Sequence, residues 1–380
     1  MRIGITCHPV IGGSGVVASE LGIALAEKGH QVHLISYDLP VRVDRFMENL
    51  YYHQVEFDSY PVFKYPPYTL ALAAKLAEVA KTWTLDLLHA HYAIPHATCC
   101  YIAKQMLADP HLKVITTLHG TDITLVGSDK SFYGITKFSI ESSDGVTCVS
   151  NYLKQEVCKE FQICAEPRVI YNFIDVDKYK PNGCSDFRQK LTARGEKVII
   201  HMSNFRPLKR IKDVIDVFRL IRAGMPSKLL LIGEGPEITS ARDRVAQYHL
   251  TDDVLFLGNQ DKVEDILTVG DLFLLPSEHE SFGLAALEAL ACGVPVIGTS
   301  HTGIPELVDD GKSGYVLELG DTETMAIRGL ELLSDPEMHR QFSEHARKSV
   351  TTRFEKSMIV KQYESFYQEV MGGLSLGLQQ

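Results

Sequence analysis

The chain has 380 residues, 45% of them hydrophobic and 23% charged, with a formal net charge of −10. This is enough chain for two domains and the composition of an ordinary globular protein. The acidic balance argues against a nucleic-acid binder and against a surface held to anionic lipid by bulk charge, while leaving room for a local basic pocket.

The first half alternates strand and helix signatures. Ile3-Gly4-Ile5-Thr6-Cys7 is a strand-length apolar run, too short for a signal peptide and followed at once by Gly12-Gly13-Ser14-Gly15. A helix is expected over 16–28, stopped by Gly29. Strands are expected at 32–36, 86–91, 114–119 and 145–149, the last leading through Ser150 as a cap into a helix. The second half restarts the pattern with strands at 198–202, 229–233, 254–258, 272–275 and 294–298, and a helix from about Ile211. Runs of four or five apolar residues suit strands buried on both faces. The tail from Asp335 to Met371 reads as helical.

Strands alternating with helices imply parallel sheets with crossovers. The expected fold class is therefore α/β, with two Rossmann-like doubly wound domains facing a central cleft. The boundaries expected are an N-terminal domain over 1–170, a hinge over 171–183 near Pro181-Asn182-Gly183, a C-terminal domain over 184–355, and a C-terminal helix in 356–380 returning to the first domain. No run approaches the roughly 20 apolar residues needed to span a bilayer. The eight cysteines (Cys7, Cys99, Cys100, Cys148, Cys158, Cys164, Cys184 and Cys292) include no Cys-x-x-Cys pair. Mostly buried thiols in a cytoplasmic protein are the simplest account.

Several motifs fall where an open α/β sheet binds ligands, at the carboxyl ends of its strands. Gly12-Gly13-Ser14-Gly15 would let backbone approach a phosphate or sugar, with amides at the following helix start. The dinucleotide fingerprint Gly-x-Gly-x-x-Gly is not met, since Ala18 stands at its last position, although Asp38 lies where a ribose-binding acid would. Gly311-Lys312-Ser313 lacks the earlier glycine of a P-loop. Asp175-Val176-Asp177 sits in the expected hinge and reads as a solvated linker. His89 and His91 share a strand face and His96 is nearby, but no carboxylate or thiol stands at ligand spacing, so no metal is assigned. His119, in His119-Gly120-Thr121-Asp122, should meet a ligand at a strand end.

Ser203-Asn204-Phe205-Arg206-Pro207-Leu208-Lys209-Arg210 places three cations at a helix start, where cations are disfavoured unless an anion is bound. Gly233-Glu234-Gly235-Pro236-Glu237 offers either a close approach to a ligand or a plain turn. Glu280-Ser281-Phe282-Gly283-Leu284-Ala285-Ala286-Leu287-Glu288 puts one carboxylate in a loop and another inside the following helix. Spacing alone leaves two readings equally open: solvated glutamates, or acceptors for ribose and sugar hydroxyls.

Taken together, these segments resemble the glycosyltransferase family 4 group of the two-Rossmann, or GT-B, class across nearly the whole chain. One departure is that Asn204 stands where the family often has arginine. That variant, with Lys64-Tyr65-Pro66-Pro67-Tyr68, His89-Ala90-His91-Tyr92 and the stretch from Ser203 to Arg206, is similar to a subgroup acting in the first step of bacillithiol biosynthesis. Its members transfer N-acetylglucosamine from UDP-N-acetylglucosamine to the hydroxyl of L-malate, with retention. The resemblance implies Glu288 on the ribose, Glu280 on the sugar hydroxyls, and amides near Phe282, Gly283 and Leu284 on the sugar or diphosphate. It further implies Lys209 and Arg206 on the leaving UDP, and donor contacts from Gly13, Ser14, Gly15, Asn204 and Gly235. His119 would hold the sugar, and L-malate would lie near Ser14, Tyr92, Thr117 and Arg206. No metal or other cofactor is implied, and a homo-oligomer is left open. The alternatives are another family 4 enzyme with a different donor or acceptor, a dinucleotide-dependent oxidoreductase, and a non-catalytic protein that binds a nucleotide sugar.

Overall fold

The computed structural model describes residues 1–9, 12–43, 46–57, 65–124, 127, 129–163, 165–181 and 186–372. Lys64, Cys164, Asn182, Gly183, Cys184 and the tail over 373–380 lie outside the described residues. The chain divides into two compact units, residues 1–173 with 356–380, and residues 174–355.

The first unit is built on seven strands: β1 (Arg2–Thr6), β2 (Gln31–Ser36), β3 (Leu50–Gln54), β4 (Leu87–His91), β5 (Lys113–Leu118), β6 (Gly145–Cys148) and β7 (Arg168–Val169). They lie in the order β3-β2-β1-β4-β5-β6-β7, and neighbouring strands run parallel. The helix Tyr68–Trp83 turns Leu72, Ala73, Leu76, Ala77, Val79 and Ala80 inward. They pack with Leu88, Ala90 and Val114 of the sheet and with Cys99, Cys100 and Ala103 of the helix Thr98–Leu107. The helix Lys356–Met371 belongs to this unit and buries Tyr363, Phe366 and Tyr367. Gly145 admits it, because a Cβ there would stand 2.8 Å from the Phe366 ring.

The second unit has six strands: β8 (Lys197–Met202), β9 (Ser227–Ile232), β10 (Val254–Gly258), β11 (Leu272–Leu275), β12 (Val296–Thr299) and β13 (Gly314–Leu317). Their order is β10-β9-β8-β11-β12-β13, again parallel throughout. The helix Ile211–Gly224 buries Ile211, Val214, Ile215, Val217, Phe218 and Ile221, a stripe at helical spacing. It meets Leu229, Leu231, Leu272 and Leu274 of the sheet. Each such side chain contributes about 1.5–3 kcal/mol of burial, which is what holds the strand ends in place.

In both sheets the strand order reverses beside the first strand. β1 pairs with β2 and β4, and β8 pairs with β9 and β11. Loops leaving those strands diverge there and open a crevice at the carboxyl edge. Two helix boundaries differ from the sequence reading. The first helix spans Gly13–Glu27, so the glycines form its first turn instead of a loop before it. The helical tail is broken at Phe354 and Glu355, between helices Pro336–Arg353 and Lys356–Met371. Phe354 is fully buried, edge-on to Phe282 at 5.5 Å, and Glu355 bridges to Ile174.

Candidate active site

In the second unit the cationic stretch is the loop leaving β8. Its course is set by close backbone contacts. A Cβ on Gly233 would fall 1.9 Å from the Ser203 carbonyl oxygen, and one on Gly235 would fall 1.9 Å from that of Asn204. The glycines are thus required for two loops to touch, whether or not a ligand is bound. Glu237 donates its amide to the Phe205 carbonyl at 3.0 Å, and Glu278 donates its amide to the Leu208 carbonyl at 2.8 Å. Asn204 and Arg206 stay exposed, and Arg206 has no ion-pair partner among the described residues. Arg210 turns away to Asp213 at 2.6 Å.

Lys209 makes an ion pair with Glu280, which comes from the loop after β11. The two side chains are only 18% and 13% exposed, so the pair is shielded from most of the solvent. Ser277 donates to the same Glu280 oxygen at 3.2 Å. Gly283, at φ 95°, is the N-cap of the helix Leu284–Ala291, and no side chain caps that end. With no side-chain cap, this helix start is a setting that favours an anion or a hydroxyl. Phe282 is buried. Glu288 lies on the second turn and accepts a hydrogen bond from the Tyr179 hydroxyl at 2.9 Å. The Arg347 guanidinium bonds the carbonyls of Val176 at 2.7 Å and Ala291 at 2.8 Å, and also that of Tyr179. It ties the 176–179 segment to the end of the Glu288 helix. The sheet supplies one more polar contact to the loop: His201, at the end of β8, bonds the Leu274 carbonyl through Nδ1 and Ser203 Oγ through Nε2, each at 2.8 Å.

In the first unit, Gly13, Ser14 and Gly15 form the uncapped start of the helix Gly13–Glu27, behind a Gly12 in extended conformation at φ −168°. Past β4, Tyr92 is held at φ 109°, ψ 138°, a region costly for any side chain but glycine. Its ring lies near-parallel to that of His119, 5.6 Å away. His119 follows β5 and bonds His91 Nδ1 through Nε2 at 3.0 Å. Burial holds the pKa of both rings well below the usual histidine value. One nitrogen of the pair therefore donates and the other accepts, between neutral rings. Asp122 is buried and accepts amide hydrogens from Gly120 at 2.9 Å, Ala93 at 3.1 Å and His119 at 3.2 Å. Burial outweighs these bonds and raises its pKa to about 6.

Thr117 differs from the sequence expectation. It is fully buried, and its hydroxyl lies 2.7 Å from His89 Nε2 and 2.7 Å from Thr147 Oγ1. His89 in turn meets the Tyr367 hydroxyl at 2.7 Å. Strand alternation sends the Thr117 side chain into the unit's interior, so it supports the strand end from behind and offers no hydroxyl at the surface. Among the described residues no group of three or more histidine, cysteine or carboxylate side chains is arranged to hold a metal ion.

Residues 11–178 match the family model described as Glycosyltransferase Family 4, and residues 185–349 match that described as Glycosyl transferases group 1. An N-acetyl-alpha-D-glucosaminyl L-malate synthase of Bacillus anthracis is 48% identical over 372 residues, covering 98% of this chain and 97% of that protein. The chain is a family 4 glycosyltransferase. An uncharacterized glycosyltransferase of Methanocaldococcus jannaschii is 27% identical, with 96% of each chain covered. Among solved structures, a glycosyltransferase from Rickettsia africae superposes with a TM-score of 0.80 at 20% identity, covering 98% of this chain and 99% of that one. Anabaena HepE in complex with UDP and glucose gives 0.81 at 19% identity, covering 96% and 99%. This glycosyltransferase has the GT-B fold, two parallel-sheet α/β domains, and the dinucleotide-dependent oxidoreductase is set aside by its family.

Of the residues singled out in the sequence, the structure of this glycosyltransferase brings together Lys209 and Glu280 through their ion pair, with Arg206 and Asn204 on the same loop as Lys209. Phe282, Gly283, Leu284 and Glu288 follow Glu280 on the next loop and helix. In the first unit it brings His119 and Tyr92 together. Gly235 packs on the Lys209 loop. The sequence reading missed His201, Ser277, Tyr179 and Arg347. Tyr179 and Arg347 meet partners far along the chain, 109 residues for Tyr179 and Glu288 and 171 for Arg347 and Val176, and His201 reaches Leu274 across 73, while Ser277 lies only three residues before Glu280 at the end of a strand-like run.

Proposed function

We propose that this chain transfers N-acetylglucosamine from UDP-N-acetylglucosamine to the hydroxyl of L-malate, with retention, as the first step of bacillithiol biosynthesis. The observation that carries the donor half of this reading is the Lys209–Glu280 pair. It joins the loops after β8 and β11, beside the uncapped helix that bears Glu288. The acceptor half is supported by the likeness to the Bacillus anthracis malate synthase and by the cation at Arg206, which suits a dianionic acceptor.

In this reading Glu288 accepts the ribose hydroxyls and Glu280 a sugar hydroxyl, while the amides of Phe282, Gly283 and Leu284 meet the sugar or diphosphate. Gly13, Ser14, Gly15, Asn204 and Gly235 complete the donor contacts. Lys209 and Arg206 stabilise the charge that develops on UDP as the bond from C1 to the phosphate oxygen breaks. The malate hydroxyl attacks C1 from the same face and its proton passes to the departing phosphate oxygen. His119 orients the sugar, and Ser14, Tyr92 and Arg206 hold malate, with Thr117 fixing the strand end behind them. Cations and helix amides carry the diphosphate charge, so no metal is required. The N-terminal domain over 1–170 handles the acceptor, 184–355 the donor, 171–183 is the hinge, and the reaction is cytoplasmic.

The test is UDP release from UDP-N-acetylglucosamine with L-malate, run in chelator and against neutral hydroxy compounds, free sugars and lipid acceptors. The reading expects malate-dependent UDP release in chelator. Release only with another acceptor would replace malate, and release only with added metal would remove the metal-free account.

A further inference from the structure

We propose that His201 is a positioning residue for sugar transfer, holding the loop that carries Lys209 in register with the strand that leads to Glu280. The proposal rests on the donor half of the reading above. His201 is fully buried at the end of β8. Its Nδ1 lies 2.8 Å from the Leu274 carbonyl, and a carbonyl can only accept, so Nδ1 carries the proton. Burial, aided by the charge of Lys209, keeps the ring neutral, with a pKa lowered to about 4. Nε2 is therefore bare and accepts the Ser203 hydroxyl proton across 2.8 Å. The Ser203 oxygen in turn accepts the Phe205 amide at 3.3 Å.

This chain of bonds fixes two things at once. Leu274 lies on β11, whose exit loop bears Ser277 and Glu280. Ser203 and Phe205 open the loop that ends at Lys209. Phe205 is held at φ 36°, which a side chain rarely adopts, and its buried ring stacks on His201 at 6.1 Å with 19° between planes. Such a backbone conformation persists only where neighbours over-determine it. The imidazole meets this need with one donor and one acceptor on opposite sides of a single rigid ring. Neither bond reaches a ligand directly, so the effect on reaction acts through the placement of Lys209. Catalytic groups displaced by as little as 1 Å lose about 10²-fold in rate, and a loosened loop loses part of that.

The experiment compares Ser203→Ala, His201→Asn and the combined variant with the parent chain. The asparagine amide keeps the bond to Leu274 and drops the one to Ser203. His201→Gln, which reaches the Nε2 position, serves as the conservative variant. UDP release is followed with malate and, separately, as slow hydrolysis of UDP-N-acetylglucosamine in water, which needs no acceptor. Ser203→Ala and His201→Asn should each lower kcat about 10-fold in both assays, with donor KM within about 3-fold and melting temperature near the parent's. The combined variant should be no worse than the poorer single change, since both break one link. His201→Gln should recover part of the loss. Ser203→Ala retaining kcat within 2-fold, losses that multiply, or loss that follows melting temperature alone would each overturn the proposal. Parent chain that hydrolyses the donor but ignores malate would defeat only the acceptor reading. A parent chain that releases UDP in neither assay would defeat both.

Discussion

Lys209 and Glu280 provide the sharpest perturbation. Their charged atoms are in hydrogen-bond contact, with side chains 18% and 13% exposed. At about 3 Å, two unit charges attract by about 5 kcal/mol at an effective dielectric of 20 and by little more than 1 kcal/mol in water. Desolvation consumes part of that, so stranding one partner should cost about 2–3 kcal/mol at this partial burial. In the proposed reaction Lys209 also meets charge that grows as UDP leaves. Removing one such group typically lowers kcat by about 10²–10³-fold. Lys209→Ala should therefore reduce kcat/KM by about 10²–10³-fold. Glu280→Gln keeps an oxygen for a sugar hydroxyl but loses the ion pair, and should reduce it by about 10–10²-fold. The double variant should be close to Lys209→Ala alone, because Glu280 acts in part through the lysine it holds. Continuous measurement of UDP release across donor concentrations gives all three values. Activity of Lys209→Ala within 3-fold of the parent, or strictly multiplicative losses, would show that the pair does not act as a unit on the departing UDP.

Three further outcomes follow from the same structure. His89, His91, His96 and His201 are buried, with pKa values lowered by that burial. The unfolded chain binds their protons below about pH 6.5 while the folded chain does not, so stability falls as pH drops, by at most about 1.4 kcal/mol per histidine at pH 5.5. Asp122, raised to about 6, acts in the opposite sense over about pH 6 to 4 and offsets only a small part. Urea midpoints at pH 7.5 and 5.5 should differ strongly, and equal midpoints would contradict this. Gly235→Ala places a Cβ 1.9 Å from the Asn204 oxygen, so it should cost about 1–3 kcal/mol by thermal melting and lower activity by moving the Lys209 loop. A variant that melts and turns over like the parent would show that the loops can separate freely. Tyr179→Phe removes the donor to Glu288 and should raise donor KM about 5- to 30-fold, corresponding to about 1–2 kcal/mol, with kcat little changed; a fall in kcat alone would place Tyr179 in the reaction step.

The parallel α/β architecture was legible because its central strands are short apolar runs ending in glycine, histidine or carboxylate-bearing loops. The strands left unread are edge or weakly apolar ones. β3 is Leu-Tyr-Tyr-His-Gln and half-buried at most, β7 has two residues, and β13 opens on Gly314. Gly314 is needed there because a Cβ would fall 1.9 Å from the Val296 oxygen. Glycine's weak helix propensity also hid the true start of the first helix at Gly13. The break at Phe354 carries no glycine or proline, and tertiary burial against Phe282 sets it. At the site, residue types announced Lys209, Glu280 and Glu288, but not that the first two bond each other. Thr117 was placed near malate by resemblance alone, and its burial beside Thr147 on the neighbouring strand depends on long-range register that no local pattern carries.

The most direct test of the central claim is the structure of the product made from UDP-N-acetylglucosamine and L-malate in the presence of chelator. Mass spectrometry should find one N-acetylglucosamine joined to malate. The anomeric proton in the NMR spectrum should show the small coupling of an α-glycoside, the configuration held by the donor. A β-linked product would contradict same-face attack, and UDP formed without any malate conjugate would contradict transfer to malate.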